Sequence, residues 1–434
     1  MRGRPHLYVS YSSEMALLPT WTQRVLAAIF VAALIVVPIG VVWGSGDDPN
    51  GPLSYLAATD WLRILTEVGI FAVGALGLNI LTGLAGQVSL GHAFFMGIGA
   101  YTAASLGAPA GALWGLDLPM WIWLPAAGIV AALFGALIAP TAVRVRGLYL
   151  AIVTLGLVFV GEWMFRSFAD VTGGSQSGRE FPSFDFELWQ EAEPALSFTS
   201  DGPAWFWIDW LDWLLGPWIN FGEVMAGELK TYLFVLFWAV VFVIAAKNLQ
   251  RTRVGRSFMA IRDRDIAAEV MGVAEAKGKL QAFAISSFYA GISGALLASF
   301  VGRLIPESFN LFLSVQFVAI ILIGGAGTVA GTLMGSFFVI ALPRLVQDFS
   351  DWLTGAVETG GFGASVADLI VSTGAGDAGL VSTSAGTTPG LTVFQLNLVL
   401  YGLLIIVFLI FEPLGLYGIW IRIRNYWKGW PFTY

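Results

Sequence analysis

The chain contains no cysteine and only two histidines, His6 and His92. The missing thiols exclude disulfides, thiolate metal sites and cysteine nucleophiles. Two imidazoles are too few for a typical histidine metal site. Charged residues make up only 12% of the chain, which is about half the share in an average soluble domain. These shortages argue against a thiol enzyme, a histidine metalloenzyme and an ordinary soluble domain.

Apolar residues fill most of the chain instead: they make up 57% of its 434 residues, and the mean hydropathy is +0.77. Uninterrupted apolar runs predict membrane helices, because the strands of a membrane β-barrel would show short segments in which apolar and polar residues alternate. We predict an all-α integral membrane protein of about ten transmembrane helices, some of them interrupted at glycine-rich points, with both termini cytoplasmic. The ten runs are Val25–Trp43, Leu62–Leu84, Ser89–Leu106, Met120–Ala139, Gly147–Phe165, Thr231–Ala246, Leu280–Val301, Ser314–Gly325, Val329–Val346 and Thr392–Phe411.

Three polar segments divide this single membrane domain, residues 1–434. Residues 166–230 are acidic and rich in tryptophan, and residues 347–391 are rich in Gly, Ala, Ser and Thr and contain acids but no Lys or Arg. Residues 247–279 are basic. Because basic clusters stay on the cytoplasmic side, we predict that the first two segments are extracytoplasmic and that the third is a cytoplasmic loop.

The basic loop contains a short helical pattern with a small apolar face. Asp265 is placed to cap its start, and Gly272 to end it in a left-handed cap. Between them Ile266, Val270 and Met271 are apolar. Such a helix is suited to docking in a groove on another protein. The alternative is a basic loop that only fixes topology and binds anionic lipid.

Two glycine-rich junctions carry most of the polar residues within the apolar runs. The first, in Gly77–Ala104, holds Asn79, Gln87, Ser89 and His92. The second, Gly324–Phe338, repeats its pattern, since Ala-Gly-Thr328-Val matches Ala-Gly-Gln87-Val. Interrupted helices at membrane depth often line a transport path. We therefore predict that these five polar residues line a substrate path; the alternative is that they are structural hydrogen bonders between closely packed helices.

Several strings together resemble the permease family of branched-chain amino acid ABC importers. They are GLNILTGLAGQVSLGHAFFMGIGAYTAA, GLYLAIVTLGL, VTGGSQSG, GRSFMAIRDRDIAAEVMGV and GGAGTVAGTLMGSFF. The resemblance implies a transport subunit whose cytoplasmic loop couples to an ATPase. The coupling residues it implies are Arg262, Asp263, Asp265, Ala267, Ala268, Glu269 and Gly272. The family's Glu-Ala-Ala order becomes Ala-Ala-Glu here.

The resemblance also implies partners and a location. These are a second permease subunit, two cytoplasmic ATP-binding subunits, an extracytoplasmic solute-binding protein and the lipid of a bacterial inner membrane, without nucleic acid. The chain has no phosphate-binding G-x-x-x-x-G-K-[ST] motif, so we expect it to bind no cofactor and the partners to use the ATP. It is then not an enzyme. Urea or short amides remain alternative cargoes, and a stand-alone carrier or channel remains an alternative mechanism.

Overall fold

The computed structural model describes residues 61–109, 113–145, 147–186, 196–198, 228–359 and 414–429, with the pairs 371–372, 381–382 and 391–392 and isolated positions in 25–38 and 395–412. The chain divides into two compact units, Met1–Leu313 and Ser314–Tyr434. The helices are α1 Trp61–Leu78, α2 His92–Gly107, α3 Met120–Arg144, α4 Leu148–Ser167, α5 Ala169–Thr172, α6 Gly174–Ser177, α7 Glu228–Arg251, α8 Arg253–Asp263, α9 Asp265–Val270, α10 Glu275–Val301, α11 Leu311–Gly324, α12 Val329–Thr359 and α13 Gly415–Gly429.

Long apolar helices dominate the described residues, because a helix satisfies its own backbone hydrogen bonds where water is absent. Five of these helices are long and apolar enough to cross a membrane: Trp61–Leu84, α3, α4, α7 and α10. Shorter apolar helices lie at Leu311–Gly324 and Val329–Leu345. The prediction of a multi-pass helical membrane protein is therefore confirmed. The total number of helices and the sides of the termini stay predictions, and the first and tenth apolar runs lie largely outside the described residues.

The core of the first unit forms around α10. With 27 residues this helix is about 40 Å long, which exceeds the thickness of about 30 Å of a bilayer's hydrocarbon core. It packs against α3, α2 and α1. A Cβ atom on Gly99 of α2 would lie 2.3 Å from the Cα atom of Gly291 in α10. Glycine at this crossing lets the two backbones approach closely, as small residues do in membrane helix packing.

Short strands tie polar loops of the first unit together. Strand β1 (Arg179–Glu180) pairs antiparallel with β4 (Arg303–Leu304), and β2 (Asp185–Phe186) pairs antiparallel with β3 (Leu196–Ser197). Glu307, in a 3₁₀ turn at Pro306–Phe309, forms an ion pair with Arg166 at 2.9 Å and accepts a hydrogen bond from the Ser175 hydroxyl. We call these three side chains the 307 clip. Arg166 also pairs with Glu162 at 2.6 Å, as one helical turn of separation predicts.

In the second unit, α12 continues through Pro343 to Thr359. Its apolar part, Val329–Leu345, agrees with the ninth predicted run. Three two-residue strands follow: β5 Val371–Ser372, β6 Val381–Ser382 and β7 Leu391–Thr392. They pair in parallel, with Val371 opposite Val381 and Val381 opposite Leu391. The ten-residue spacing of the first two strands coincides with a repeat of Val-Ser-Thr at 371–373 and 381–383, and β7 carries Leu-Thr at the equivalent place. The tryptophan cluster of residues 205–218 lies outside the described residues.

Candidate functional site

The first predicted junction is a genuine interruption between two helices. After α1 the chain continues as a π-helical turn, Asn79–Leu84. Such turns are rare in proteins overall, but where they occur they are often at functional sites. Gly86 then adopts a left-handed conformation with φ of +69°. The Thr82 hydroxyl donates a 3.1 Å hydrogen bond to the Gln87 carbonyl, and α2 begins only at His92. The backbone therefore turns out of one helix and into the next around Gly86.

The second junction, within the second unit, also turns at a glycine with a left-handed backbone. Gly327 has φ of +82° and follows the end of α11. Thr328 accepts a 3.2 Å hydrogen bond from the Gly331 backbone N–H and so caps the start of α12. Its predicted place in a substrate path stays a prediction.

The basic loop forms the predicted short helix, α9. It begins at Asp265, whose carboxylate accepts a 2.8 Å hydrogen bond from the Ile266 N–H, while Arg264 occupies the cap position itself. Gly272 ends the helix with φ of +85° and donates its N–H to the Glu269 carbonyl at 2.9 Å. The predicted left-handed cap is therefore present, as this conformation favours glycine.

One face of α9 is apolar and unusually exposed. Ile266, Val270 and Met271 are 70%, 82% and 83% exposed. Ala268 lies on the opposite face and is buried, so that face of α9 packs against the rest of the first unit. Ala267 and Glu269 are exposed. Apolar side chains grouped on one face of a protruding helix are typical of a docking surface.

The two predicted sites, which lie far apart in the sequence, meet in the structure at Arg262. Its guanidinium donates a 2.8 Å hydrogen bond to the carbonyl of Gly83, in the π-helical turn. It also pairs with Asp263 at 3.0 Å. A Cβ atom on Gly86 would lie 2.6 Å from the Arg262 Cγ atom. The end of α8 thus packs directly on the backbone of the interrupted helix.

A cavity of about 220 Å³ opens between these two segments. Gln87, predicted for the path, and Arg262, Asp263 and Asp265, predicted for coupling, all line it. The remaining lining residues are Ala85, Gly86, Ala142, Val145, Gly147, Leu150, Ile261, Arg264 and Lys279. The structure therefore brings members of both predicted sets to one place.

Lys279 and Arg264 are cavity residues that the sequence reasoning missed. Lys279 is buried, pairs with Glu275 at 2.7 Å and donates to the Ala142 carbonyl at 3.2 Å. The signal available in the sequence was Glu275 and Lys279, spaced four residues apart at the start of a span, where an ion pair is expected.

The other predicted path residues are buried but lie outside the cavity lining. Asn79 begins the π-helical turn. Ser89 accepts a 3.2 Å hydrogen bond from the Gly91 N–H, and His92 is hydrogen-bonded to the backbone of Gly74. These contacts fit the structural alternative, and their role in a path stays a prediction. The described residues contain no group of three or more His, Asp or Glu side chains placed to hold a metal ion.

Comparisons with known proteins point in the same direction as the geometry. The profile of the family described as "Branched-chain amino acid transport system / permease component" matches residues 61–409. The high-affinity branched-chain amino acid transport system permease protein LivM of Escherichia coli (strain K12) is 29% identical over 334 residues, covering 75% of this chain and 69% of the relative. LivM of Salmonella typhimurium is 29% identical over 331 residues, with the same coverage of 75% and 69%.

A more distant likeness covers a smaller part of the chain. The autoinducer 2 import system permease protein LsrC of Enterobacter sp. (strain 638) is 32% identical over 169 residues, which is 34% of this chain and 48% of the relative. No solved structure matches the chain.

Proposed function

This chain belongs to the family of branched-chain amino acid transport permease components, and from that premise we propose that it is a membrane subunit of an ATP-driven importer. The proposed importer lies in a bacterial inner membrane. It combines this chain with a second permease subunit, two cytoplasmic ATP-binding subunits and an extracytoplasmic solute-binding protein. The chain binds no cofactor, and its partners use the ATP. The proposed cargo is a branched-chain amino acid, in line with the named activity of the LivM relatives.

The contact between Arg262 and the Gly83–Gly86 segment carries this proposal. In the proposed mechanism an ATP-binding subunit binds the exposed face of α9, which is formed by Ile266, Val270 and Met271. When the two ATP-binding subunits close, α9 moves and Arg262 moves with it. Because Arg262 packs on the backbone where α1 gives way to α2, the movement tilts the interrupted helix. In one packing of this junction the path is open to one side of the membrane, and in the other packing it is open to the opposite side, which gives alternating access.

The exposed face is large enough to matter energetically. Burying one large apolar side chain is worth about 1.5–3 kcal/mol, so three such side chains supply roughly 4–9 kcal/mol before the costs of association are subtracted. An allosteric coupling is typically about 1–3 kcal/mol.

Charge reversal on α9 tests the coupling role. Glu269 is exposed, so Glu269→Lys leaves the fold intact, and we expect leucine uptake to fall about tenfold or more while the chain stays in the membrane. Asp170→Lys, also at an exposed position but remote from α9, is the matched control. Normal uptake by the Glu269→Lys variant would contradict the role of α9.

The cargo is tested separately, since LsrC relatives import a different solute. Uptake of labelled leucine and of labelled urea is measured in cells that lack only this chain. Loss of leucine uptake alone is the expected result. Loss of urea uptake alone would keep the mechanism and change the cargo. If neither uptake changes, and no ATPase co-purifies with the chain, the chain is not the proposed importer subunit.

A further inference from the structure

Helix α13 is amphipathic and has one exposed apolar face. Its sequence, GLYGIWIRIRNYWKG, contains three basic residues and no acidic one. Four large side chains that are between 38% and 59% exposed share the apolar face: Ile419, Trp420, Ile423 and Tyr426. At 3.6 residues per turn they span an arc of about 120°, which is wide enough for the buried face of an amphipathic helix. This face is therefore suited to an apolar environment outside the chain.

Arginines border the apolar face on both sides. On the same helical projection Arg422 lies about 40° beyond Tyr426, and Arg424 lies about 40° beyond Trp420. Arg422 pairs with Glu412 but keeps 72% of its side chain exposed, and the exposed Arg424 forms no ion pair with a described residue. Basic side chains beside an apolar face that contains Trp and Tyr are typical of a helix lying in the membrane interface, where the cations reach the lipid headgroups.

The chain enters α13 directly from an apolar run. The tenth predicted run ends at Phe411, and α13 begins four residues later at Gly415, at most about 14 Å away. The ion pair between Arg422 and Glu412, at 2.5 Å, keeps the middle of the helix close to the same point. Because an apolar run of about 20 residues crosses a bilayer, α13 starts at a membrane surface. Its basic residues indicate the cytoplasmic surface.

The start of α13 packs on the second glycine-rich junction, in the same unit. A Cβ atom on Gly415 would lie 2.5 Å from the Ile323 carbonyl oxygen and 2.7 Å from the Gly325 nitrogen. With 14 residues, α11 is about 21 Å long, so from one surface it ends about 9 Å short of the other side of the hydrocarbon core. That depth agrees with an interfacial helix, whose apolar face enters the bilayer by about 5–10 Å.

We propose that α13 lies in the plane of the cytoplasmic leaflet and binds anionic phospholipid headgroups through Arg422 and Arg424, with its apolar face among the acyl chains. A lipid surface matches this helix better than a protein groove, because cations border the apolar face on both sides and the chain arrives from a membrane run. Since its start packs on the second junction, the bound helix holds that junction at a fixed depth. The proposal requires neither a particular cargo nor an ATP-binding subunit.

Spin labels test the placement of α13 in the purified full chain. The chain has no cysteine, so Ile423→Cys introduces one thiol on the apolar face and Asn425→Cys one thiol on the opposite, exposed face. The labelled chains are placed in nanodiscs of phosphatidylcholine and phosphatidylglycerol. We expect oxygen, which dissolves in lipid, to relax the label at position 423 more strongly, and a water-soluble nickel chelate to relax the label at position 425 more strongly. Equal access of the chelate to both labels would overturn the placement in the membrane.

The lipids beside α13 are measured at the same thiol. A bimane group on the Ile423→Cys chain is quenched by doxyl-labelled phosphatidylglycerol or by doxyl-labelled phosphatidylcholine, in discs of one composition. We expect stronger quenching by the anionic lipid. Arg424→Gln should lower that preference about fivefold, and Arg424→Lys should retain it, because one cation near an anionic surface contributes about that factor. No preference for phosphatidylglycerol, or equal preferences in the two variants, would overturn the inference.

A thiol at the junction tests whether α13 fixes its position. Ala326 is exposed between α11 and α12, and Ala326→Cys is combined with Arg424→Gln or with Arg424→Lys. In discs that contain phosphatidylglycerol we expect N-ethylmaleimide to label the Arg424→Gln chain several-fold faster. In discs of phosphatidylcholine alone we expect equal rates, because neither chain is then held by anionic lipid. Equal rates in both kinds of disc would overturn the positioning of the junction by α13.

Discussion

Gly86→Ala probes the contact that joins α9 to the interrupted helix. Alanine adds one methyl group at a position with φ of +69°. Left-handed backbone costs a non-glycine residue about 1–2 kcal/mol. The added Cβ would also lie 2.6 Å from the Arg262 Cγ atom and 3.2 Å from its Cα atom. Because a backbone atom is among the neighbours, rotating the arginine side chain does not relieve the crowding fully.

Overpacking of this kind costs about 1–3 kcal/mol, so the two effects together amount to roughly 2–5 kcal/mol. Gly272→Ala separates them, because Gly272 has φ of +85° but nothing within 4 Å of an added Cβ. Its expected cost is about 1–2 kcal/mol. Gly156→Ala is the neutral control, since Gly156 lies inside α4 without positive φ and without a neighbour within 4 Å.

The assay compares leucine uptake in cells with the denaturation midpoint of each purified chain. We expect Gly86→Ala to reduce uptake at least about tenfold, which corresponds to about 1.4 kcal/mol, and to be the least stable of the three. Gly272→Ala should lose less stability, and Gly156→Ala none. If Gly86→Ala matched Gly156→Ala in both measurements, the packing of Arg262 on Gly86 would not be the coupling contact.

Three further predictions concern docking, topology and pH dependence. Val270→Asp, at a side chain that is 82% exposed, should leave the chain stable but abolish co-purification of an ATP-binding subunit, and retained co-purification would refute docking through α9. Single cysteines at Ser175 and Val270 should react with an impermeant maleimide from opposite sides of the membrane, and labelling from one side would refute the predicted topology. Burial alone would raise the pKa of the Glu307 carboxyl, but hydrogen bonds from Ser175 and its own backbone and the charge of Arg166 outweigh it, so the pKa lies below its ordinary value. The 307 clip therefore contributes its full stability above the unfolded pKa of about 4.3, and that contribution is lost as pH falls through the lower folded pKa. Hydrogen exchange in residues 169–178 should therefore rise in acid. Glu307→Gln should remove that pH dependence.

Local pattern was sufficient for much of the fold. The apolar runs beginning at Leu62, Met120 and Thr231 became the span Trp61–Leu84, α3 and α7 within a few residues of the predicted bounds, because an uninterrupted apolar run in a membrane must satisfy its backbone hydrogen bonds as a helix. Gly272 was predictable because a left-handed helix end strongly favours glycine.

The sequence could not place Arg262 against Gly83, because 179 residues separate them. Nothing in the local pattern of either segment encodes that contact. It also could not distinguish Gln87, whose buried amide has no hydrogen-bond partner among the described residues, from Ser89, which caps its own turn. Both are polar residues among glycines, and only their surroundings in the folded unit differ.

The sequence by itself determined that this protein lies in a membrane, that two of its helices are interrupted at glycines and that a basic loop carries an apolar helix. Those features depend on composition and spacing, which act over a few residues. Only the tertiary structure decided that the loop rests on the first interruption and that a cavity with both signs of charge lies between them. That outcome depends on how α10 packs against α1, α2 and α3, and packing is a property of surfaces that meet across the whole unit.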